Sequence, residues 1–282
     1  MTQSIGIIGA GTMGRGIAQI CASSGLSVTL CDIDQVQIDD AAKGIESGYA
    51  RMVQRERMSE DECQAALARL NYTTSLEGLA GSDLTIEAAT ETPEVKLPLF
   101  EKIAAVVGEE AILASNTSSI SLTRIAAAVP RPERVIGMHF FNPVPVMQLL
   151  EIVRALQTSD VTYNAACEVA DRLNKTRVTV SDSPGFVVNR ILLPMINEAV
   201  LSLAEGLATA EEIDVAMRLG ANHPMGPLAL ADLIGLDVCL YVMETLYEQF
   251  GDSKYRPAPL LRKMVDARYL GRKTGRGFFT YR

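Results

Sequence analysis

The sequence predicts an α/β protein with a doubly wound, mostly parallel sheet and a helix-hairpin insertion, followed by an all-helical C-terminal domain. Three observations predict it. Short β-rich segments alternate with helical segments in the first part of the chain, an order typical of parallel sheets with right-handed crossovers. A glycine-rich turn follows the first β-rich segment, and the β-rich segments stop near residue 183.

The strands of the predicted sheet are short runs of apolar and β-branched residues bounded by turn residues. They cover residues 5–9, 27–31, 84–88, 112–115, 135–140, 149–153 and 177–180. Stretches with helical periodicity separate most of them. These helices are expected at residues 13–24, 93–107, 121–129 and 160–173.

One interval interrupts this alternation. Residues 35–70 have a helical pattern almost throughout, and Ser59 with Glu62 forms a capping box that begins a second helix. The interval therefore predicts two helices in a hairpin that projects from the sheet domain. Arg51 and Arg55 lie on one face of the first helix, because they are spaced i, i+4. They form either a solvated face or a site for an anionic ligand.

The chain after residue 183 predicts helices alone. Ser183 and Pro184 have the pattern of an N-cap followed by proline at the first helical position. Helices are expected at residues 185–207, 211–219, 227–249 and 258–268. The predicted domains are therefore residues 1–183 and 184–282. The second is rich in apolar residues, which predicts a homodimer through the C-terminal domain.

Composition argues against several classes of protein. The 282 residues carry a net charge of −8, without the basic surface of a nucleic-acid-binding protein. No apolar run reaches the ~18 residues of a membrane-spanning helix, and we expect no signal peptide. Five cysteines without CxxC spacing, and only two histidines, predict reduced thiols in the cytoplasm and no metal site.

The segment Gly9-Ala10-Gly11-Thr12-Met13-Gly14 matches the GxGxxG fingerprint of Rossmann-type dinucleotide-binding domains. It follows a predicted strand and opens a predicted helix, whose N-terminus would face the pyrophosphate. The next strand is followed by Asp32, which is placed to accept hydrogen bonds from the adenosine ribose hydroxyls. Because its charge would repel a 2′-phosphate, the pattern predicts NAD rather than NADP as the cofactor.

His139 and Glu151 lie on consecutive predicted strands, and a chain reversal between them would bring the two side chains together. Glu151 stands among apolar residues, where an unpaired carboxylate is costly. A carboxylate that orients an imidazole makes the histidine a general base. A histidine at a strand end near solvent, with a glutamate at a sheet edge, explains the spacing equally well.

Two further polar groups are candidates for contact with cofactor or substrate. Residues 115–119, with the sequence SNTSS, follow a predicted strand where a doubly wound sheet faces its ligand crevice. The same run also serves as an N-cap for the next helix. Asn189 is a lone amide in an apolar helix at the domain junction, which indicates either a cleft residue or a solvated position.

Seven segments together resemble the L-3-hydroxyacyl-CoA dehydrogenase family, in its short bacterial form, over essentially the whole chain. They are GIIGAGTMGRGIA from Gly6, EAATETPEVK from Glu87, ASNTSSI from Ala114, GMHFFNPVPVMQLLEIV from Gly137, DSPGFVVNRI from Asp182, HPMGPLALADLIGLD from His223 and GRKTGRGFFTYR from Gly271. The resemblance implies a dimeric enzyme that uses NAD and takes an acyl-CoA substrate, with 3-hydroxybutyryl-CoA as the default.

The resemblance also implies roles for single residues. His139 matches the catalytic base and Glu151 its orienting partner, Ser118 a hydroxyl that contacts substrate and nicotinamide, and Asn189 an amide that holds the substrate oxygen. Further positions match cofactor contacts of the family, namely Glu91, Lys96, Asn116 and Lys273. Arg55 stands where the family often has a lysine that binds CoA, and Arg51 lies near it on the same face.

Three alternatives to this function stay open. A dehydrogenase of a free hydroxy acid uses the same scaffold, although the two arginines of the hairpin favour a CoA ester. The acyl chain could be dicarboxylic, as in 3-hydroxyadipyl-CoA. A non-catalytic NAD-binding protein is disfavoured because both His139 and Glu151 are present.

Overall fold

A computed structural model describes residues 2–281 of the chain. The chain forms two compact units, the first ending at Ser183 and the second beginning at Pro184. Unit 1 contains eight strands. They are β1 (Ser4–Ile8), β2 (Ser27–Cys31), β3 (Leu70–Thr73), β4 (Leu84–Glu87), β5 (Ile112–Ser115), β6 (Val135–Phe140), β7 (Leu149–Arg154) and β8 (Thr176–Ser181).

Helices flank this sheet in unit 1 and make up unit 2. Those of unit 1 are α1 (Thr12–Ser23), α2 (Gln35–Gln54), α3 (Glu60–Leu67), α4 (Pro93–Val106), α5 (Leu122–Ala126) and α6 (Asp160–Arg172). Those of unit 2 are α7 (Val188–Ala204), α8 (Ala210–Gly220), α9 (Pro227–Ile234), α10 (Leu236–Phe250) and α11 (Pro259–Asp266).

The eight strands form one sheet in the order β3-β2-β1-β4-β5-β6-β7-β8. Strands β1 to β6 pair in parallel, β7 runs antiparallel to β6, and β8 runs parallel to β7. The predicted fold class is confirmed. The order reverses between β1 and β4, and ligands of such sheets bind beyond the carboxyl ends of the strands at that point.

The core of unit 1 lies on both faces of the sheet. Ile7, Leu30 and Ile86 on three neighbouring strands are fully buried, since helices cover both faces of a parallel sheet. This is why these strands are continuous apolar runs rather than alternating ones. The rigid sheet fixes the positions of the loops that follow its strands.

The predicted helix hairpin is present as α2 and α3. The hairpin does not project along its whole length, because Ile45 and Tyr49 are buried against unit 1 and the Tyr49 hydroxyl donates to the Gln19 carbonyl at 2.6 Å. Its tip around residues 54–62 is largely exposed. The stretch expected to be helical, residues 35–70, ends where edge strand β3 begins at Leu70; the sequence did not predict this strand, which pairs with β2.

Two predicted helices of unit 2 also differ from the structure. The Ser183-Pro184 pattern does not begin a helix, since Gly185 and Phe186 have φ values of 73° and 49°, outside the helical region. Helix α7 therefore begins at Val188. The expected helix 227–249 is two helices, because Gly235 has φ 105° between α9 and α10.

Within residues 2–281, no helix is both long and apolar enough to cross a membrane, and no group of three acidic, histidine or cysteine side chains is arranged to hold a metal ion. All five cysteines are free thiols. Burial raises the pKa of Cys21 and of Cys239 to about 12, so both thiols are protonated at neutral pH.

Candidate active site

The glycine-rich turn lies between β1 and α1, at the point where the strand order reverses. Gly9 has φ 96°, and a Cβ there would stand 2.7 Å from the Ala89 Cα. A Cβ on Gly14 would stand 1.7 Å from the Gly9 carbonyl oxygen. Both positions therefore require glycine, the first for the turn and the second for close packing of α1 on β1.

Gly11 differs from these two glycines, because a Cβ there would meet no atom within 4 Å. The open side of the turn is thus free of protein at this point. Gly11 is also the N-cap of α1 and makes no side-chain cap, so the N–H groups of the first turn can bind a phosphate. An open backbone beside an uncapped helix N-terminus fits the pyrophosphate of a dinucleotide.

Asp32 follows β2 and is half-buried beside this turn. Its Oδ2 accepts the Ala10 N–H at 2.7 Å, and its Oδ1 accepts the Asp34 N–H at 3.1 Å. These bonds fix the carboxylate next to the turn. A carboxylate held this way can accept hydrogen bonds from ribose hydroxyls and repels an additional phosphate.

His139 and Glu151 face each other across the only antiparallel pairing of the described sheet, that of β6 with β7. His139 Nδ1 lies 2.7 Å from Glu151 Oε2, and the two residues are 6% and 0% exposed. The Phe141 ring packs on the imidazole at a centroid distance of 4.5 Å. Because Glu151 holds Nδ1, proton exchange with a substrate falls to Nε2.

Asn116 connects the two strands that carry this part of the site. It follows β5, and its Oδ1 accepts the Phe140 N–H at the end of β6 at 2.9 Å. Its side-chain oxygen therefore holds the two strand ends together beside His139.

Ser118 lies in the same loop and is held by Glu91. The Ser118 N–H donates to Glu91 Oε1 at 2.7 Å, and the Ser118 hydroxyl donates to the same oxygen at 3.2 Å. The Thr117 hydroxyl donates to Glu91 Oε2 at 2.6 Å. One carboxylate from the loop after β4 thus fixes the loop after β5.

Lys96, in the first turns of α4, is buried with 1% exposure. Its ammonium donates to Glu87 Oε2 at 2.5 Å and to the Ser115 hydroxyl at 3.2 Å, and it lies 3.9 Å from Glu91 Oε2. Glu87 is fully buried at the end of β4. Lys96 therefore lies beneath the surface of unit 1, while Glu91 reaches that surface.

A groove with a volume of about 430 Å³ lies between α1, α2 and the loop after β6. Arg51 lines it, and Arg55 does not. The other lining residues are Thr12, Arg15, Gly16, Gln19, Gly44, Ser47, Asn142, Pro143, Val144 and Pro145. Within residues 2–281, neither Arg15 nor Arg51 is within ion-pair distance of a carboxylate.

The two remaining predicted site residues belong to unit 2. Asn189 is half-buried in the first turn of α7. Lys273 lies near the end of the chain, and its ammonium is 2.6 Å and 2.7 Å from the two carboxylate oxygens of Asp237.

Sequence analysis missed two supports of this site. Glu87 forms the buried ion pair with Lys96. The feature that could have indicated this role is a charged residue at the end of the strand Leu84–Glu87, which is buried throughout. No sequence feature indicates the role of Lys175, because its partners are distant in sequence. Its ammonium donates to the carbonyls of Val144 and Met147 at 2.7 Å and 2.6 Å. Burial lowers the pKa of Lys175. Its two bonds fix the loop between β6 and β7.

Comparisons with known proteins find relatives over nearly the whole chain. The chain matches the family model of the 3-hydroxyacyl-CoA dehydrogenase NAD-binding domain over residues 4–183 and that of the C-terminal domain over residues 185–281. It is 51% identical to a 3-hydroxybutyryl-CoA dehydrogenase of Bradyrhizobium diazoefficiens over 99% of this chain and 96% of that protein.

Two further proteins are informative. The crystal structure of (S)-3-hydroxybutyryl-CoA dehydrogenase from Ralstonia eutropha has a TM-score of 0.98 and 54% identity, with both chains fully covered. A 3-hydroxyadipyl-CoA dehydrogenase of Escherichia coli is 42% identical over 99% of this chain, which spans 59% of that protein.

Proposed function

Because the chain belongs to the 3-hydroxyacyl-CoA dehydrogenase family, we propose that it interconverts 3-hydroxybutyryl-CoA and acetoacetyl-CoA. It is an NAD-dependent oxidoreductase. The four-carbon substrate is the one for which its relatives of about 50% identity are named. The observation that carries the proposal is the buried His139–Glu151 pair, which lies next to the loop that presents Ser118.

NAD fits the turn between β1 and α1, where Gly11 leaves the backbone open and the helix N-terminus is uncapped. We propose that Asp32 binds the adenosine ribose and that Glu91 and Asn116 lie close to the nicotinamide end. When bound, NAD supplies the acceptor for the hydride that leaves C3 of the substrate.

The residues of unit 1 provide the proton chemistry. In oxidation, His139 Nε2 removes the proton of the 3-hydroxyl, and the Glu151 carboxylate stabilises the imidazolium that forms. In the reverse direction, the imidazolium returns the proton to the 3-oxo group. Because Glu151 is bonded to Nδ1 at 2.7 Å, it fixes both the tautomer and the ring orientation. Asn189 and Lys273 of unit 2 are proposed contacts for substrate and cofactor on their motifs alone.

The assay that tests this function is NADH oxidation by the purified protein with acetoacetyl-CoA, compared with free acetoacetate, 3-oxoadipyl-CoA and NADPH. We expect rapid oxidation that requires both the CoA ester and NADH. Faster turnover of 3-oxoadipyl-CoA would assign the enzyme to dicarboxylic acyl chains, and turnover of acetoacetate would assign it to free acids. NADH binding without turnover of any of these would contradict the dehydrogenase function.

We propose that Arg51 binds the phosphates of CoA in the groove. The groove has two arginines without carboxylate partners in a protein of net charge −8, and guanidinium groups bind phosphate in a bidentate manner. Replacing Arg51 by alanine is expected to raise KM for acetoacetyl-CoA by about tenfold without changing kcat, the result of losing binding that substrate and transition state share.

Three comparisons make this test specific. Acetoacetyl-pantetheine lacks the phosphates, so its KM should be the same in the variant and the original protein. Arg57, which lies on the exposed hairpin tip outside the groove, provides the control variant Arg57→Ala. If Arg55→Ala raises KM and Arg51→Ala does not, the phosphate site lies at the hairpin tip instead.

We also propose that the protein is a homodimer through unit 2. An apolar cavity of about 610 Å³ opens on this unit, and Ile191 in its wall is 67% exposed. The other lining residues are Val187, Val188, Leu192, Met195, His223, Pro224, Met225 and Leu230. An apolar surface of this kind is typical of an interface between copies.

Light scattering is expected to give twice the chain mass of 30.4 kDa for the original protein. Ile191→Glu is expected to give a single chain mass, because a charge would be buried at the interface. Leu207→Glu is the matched control, since Leu207 is 76% exposed in the same unit but outside the cavity. A dimeric Ile191→Glu variant would place the interface elsewhere.

A cytoplasmic location is proposed from the thiols. All five cysteines are free, and four of them are buried. Unpaired cysteines are typical of proteins that fold in a reducing compartment.

A further inference from the structure

The Glu87–Lys96 ion pair lies under the loops of the active site and takes no part in the chemistry described above. Both residues are almost completely buried, at 0% and 1% exposure. A buried ion pair contributes little net stability, because desolvation of the two charges offsets their attraction. Its presence at the carboxyl end of β4, next to β5, calls for another explanation.

Two chains of hydrogen bonds lead from this pair to the loop that carries Ser118. In the first, Glu87 Oε1 accepts the N–H groups of Ala89 and Thr90 at 2.9 Å and 3.2 Å, which fixes the turn before Glu91. Glu91 then holds the backbone and the hydroxyl of Ser118. The pair thus fixes the carboxylate that fixes Ser118.

The second chain passes through Ser115. Its hydroxyl donates to Glu87 Oε2 at 3.1 Å and is within 3.2 Å of the Lys96 ammonium. The Ser115 hydroxyl oxygen also accepts the Thr117 N–H at 3.2 Å. The loop after β5 is therefore held by the buried ion pair through Ser115 and also by Glu91.

Charge sets the direction of these bonds. Glu91 as a carboxylate can only accept, so the Ser118 hydroxyl donates its proton to Glu91 and presents a lone pair to a ligand. The Lys96 ammonium lies 3.9 Å from Glu91 Oε2. Ser118 is thereby fixed as an acceptor, which suits a contact with the N–H groups of the nicotinamide amide.

We propose that Glu87 and Lys96 are positioning residues that hold Glu91 and thereby fix the Ser118 hydroxyl as a hydrogen-bond acceptor toward the nicotinamide amide of the cofactor. This inference rests on the proposed function for its kinetic consequence, but its structural consequence does not depend on that function.

The kinetic test is a double-mutant cycle with Ser118→Ala. Lys96→Met alone is expected to lower kcat by about 30-fold, a coupling typical of residues in one hydrogen-bond network. In the Ser118→Ala background, Lys96→Met should lower kcat by less than about twofold, since the group on which it acts is gone. An equal loss of kcat in both backgrounds would overturn the proposal, because a purely structural defect adds to the loss of Ser118.

A charge-balanced variant keeps the test valid if Lys96→Met fails to fold. Glu87→Gln with Lys96→Met removes both buried charges together, so we expect it to regain the thermal stability of the original protein but not its kcat. Recovery of kcat along with stability would mean that the pair has a structural role only. Asp83→Asn is the matched control, because Asp83 accepts the N–H groups of Gln3 and Ser4 beside the opposite end of β4.

Hydrogen exchange of the protein without ligands tests the proposal without any measurement of activity. The double variant is expected to exchange faster in peptides that cover residues 88–92 and 116–119, whereas Asp83→Asn leaves them unchanged. Unchanged exchange of these peptides in the double variant would overturn the proposal, whether or not the protein turns over acetoacetyl-CoA. Absence of turnover by the original protein would contradict the proposed function alone.

Discussion

Replacing His139 by glutamine is expected to lower kcat for acetoacetyl-CoA reduction by about three orders of magnitude, within the range that general acid–base catalysis contributes. Glutamine cannot carry the proton that the imidazolium donates to the 3-oxo group. His139 lies at the end of β6, and the residues proposed to bind the pyrophosphate and the adenosine ribose lie around the turn after β1, so the Kd for NADH should not change. Steady-state kinetics and a fluorescence titration with NADH measure the two quantities.

Glu151→Gln provides the graded comparison. Glutamine keeps an oxygen that can accept the Nδ1 proton of His139 but lacks the charge that stabilises the imidazolium, so a smaller loss of about 10- to 100-fold in kcat is expected. Near-normal turnover of His139→Gln would defeat the assignment of the base. If His139→Gln instead lost NADH binding or thermal stability, the buried pair would be structural.

The parts of the fold with local signals could be predicted from the sequence. The β5 and β6 strands have the predicted bounds, since each is a continuous apolar run between turn residues. The predicted capping box at Ser59 begins helix α3. The edge strand β3 could not be predicted, because its residues LNYT are half polar and take their conformation from pairing with β2.

Parts of the site that depend on long-range contacts could not be predicted. The spacing of His139 and Glu151 left two interpretations, and only the pairing of β6 with β7 places the side chains together. Lys96 matches a cofactor contact of the family, but the sequence does not indicate that its side chain is buried. Its burial results from packing against Glu87 and Ser115. Burial of this kind is a property of packing and has no local pattern.

Replacing Asp32 by asparagine is expected to lower the preference for NADH over NADPH, as a ratio of kcat/KM, by about 100-fold. The carboxylate favours NADH through charge-assisted hydrogen bonds to the ribose, worth roughly 1.5–3 kcal/mol. It disfavours NADPH through repulsion of the 2′-phosphate, which is weakened only in part by water and salt. Asparagine keeps an oxygen that can accept the Ala10 N–H, so the turn should keep its shape.

Asp34→Asn is the matched control for this prediction. Asp34 is a second carboxylate of the same loop, but its side chain accepts the Val36 N–H and caps α2. This variant should lower thermal stability slightly, as loss of charge at a helix N-cap does, and leave the cofactor ratio unchanged. If Asp32→Asn kept the original preference, the choice of cofactor would depend on groups other than this carboxylate. If both variants changed the ratio equally, the shape of the loop rather than the charge at residue 32 would decide it.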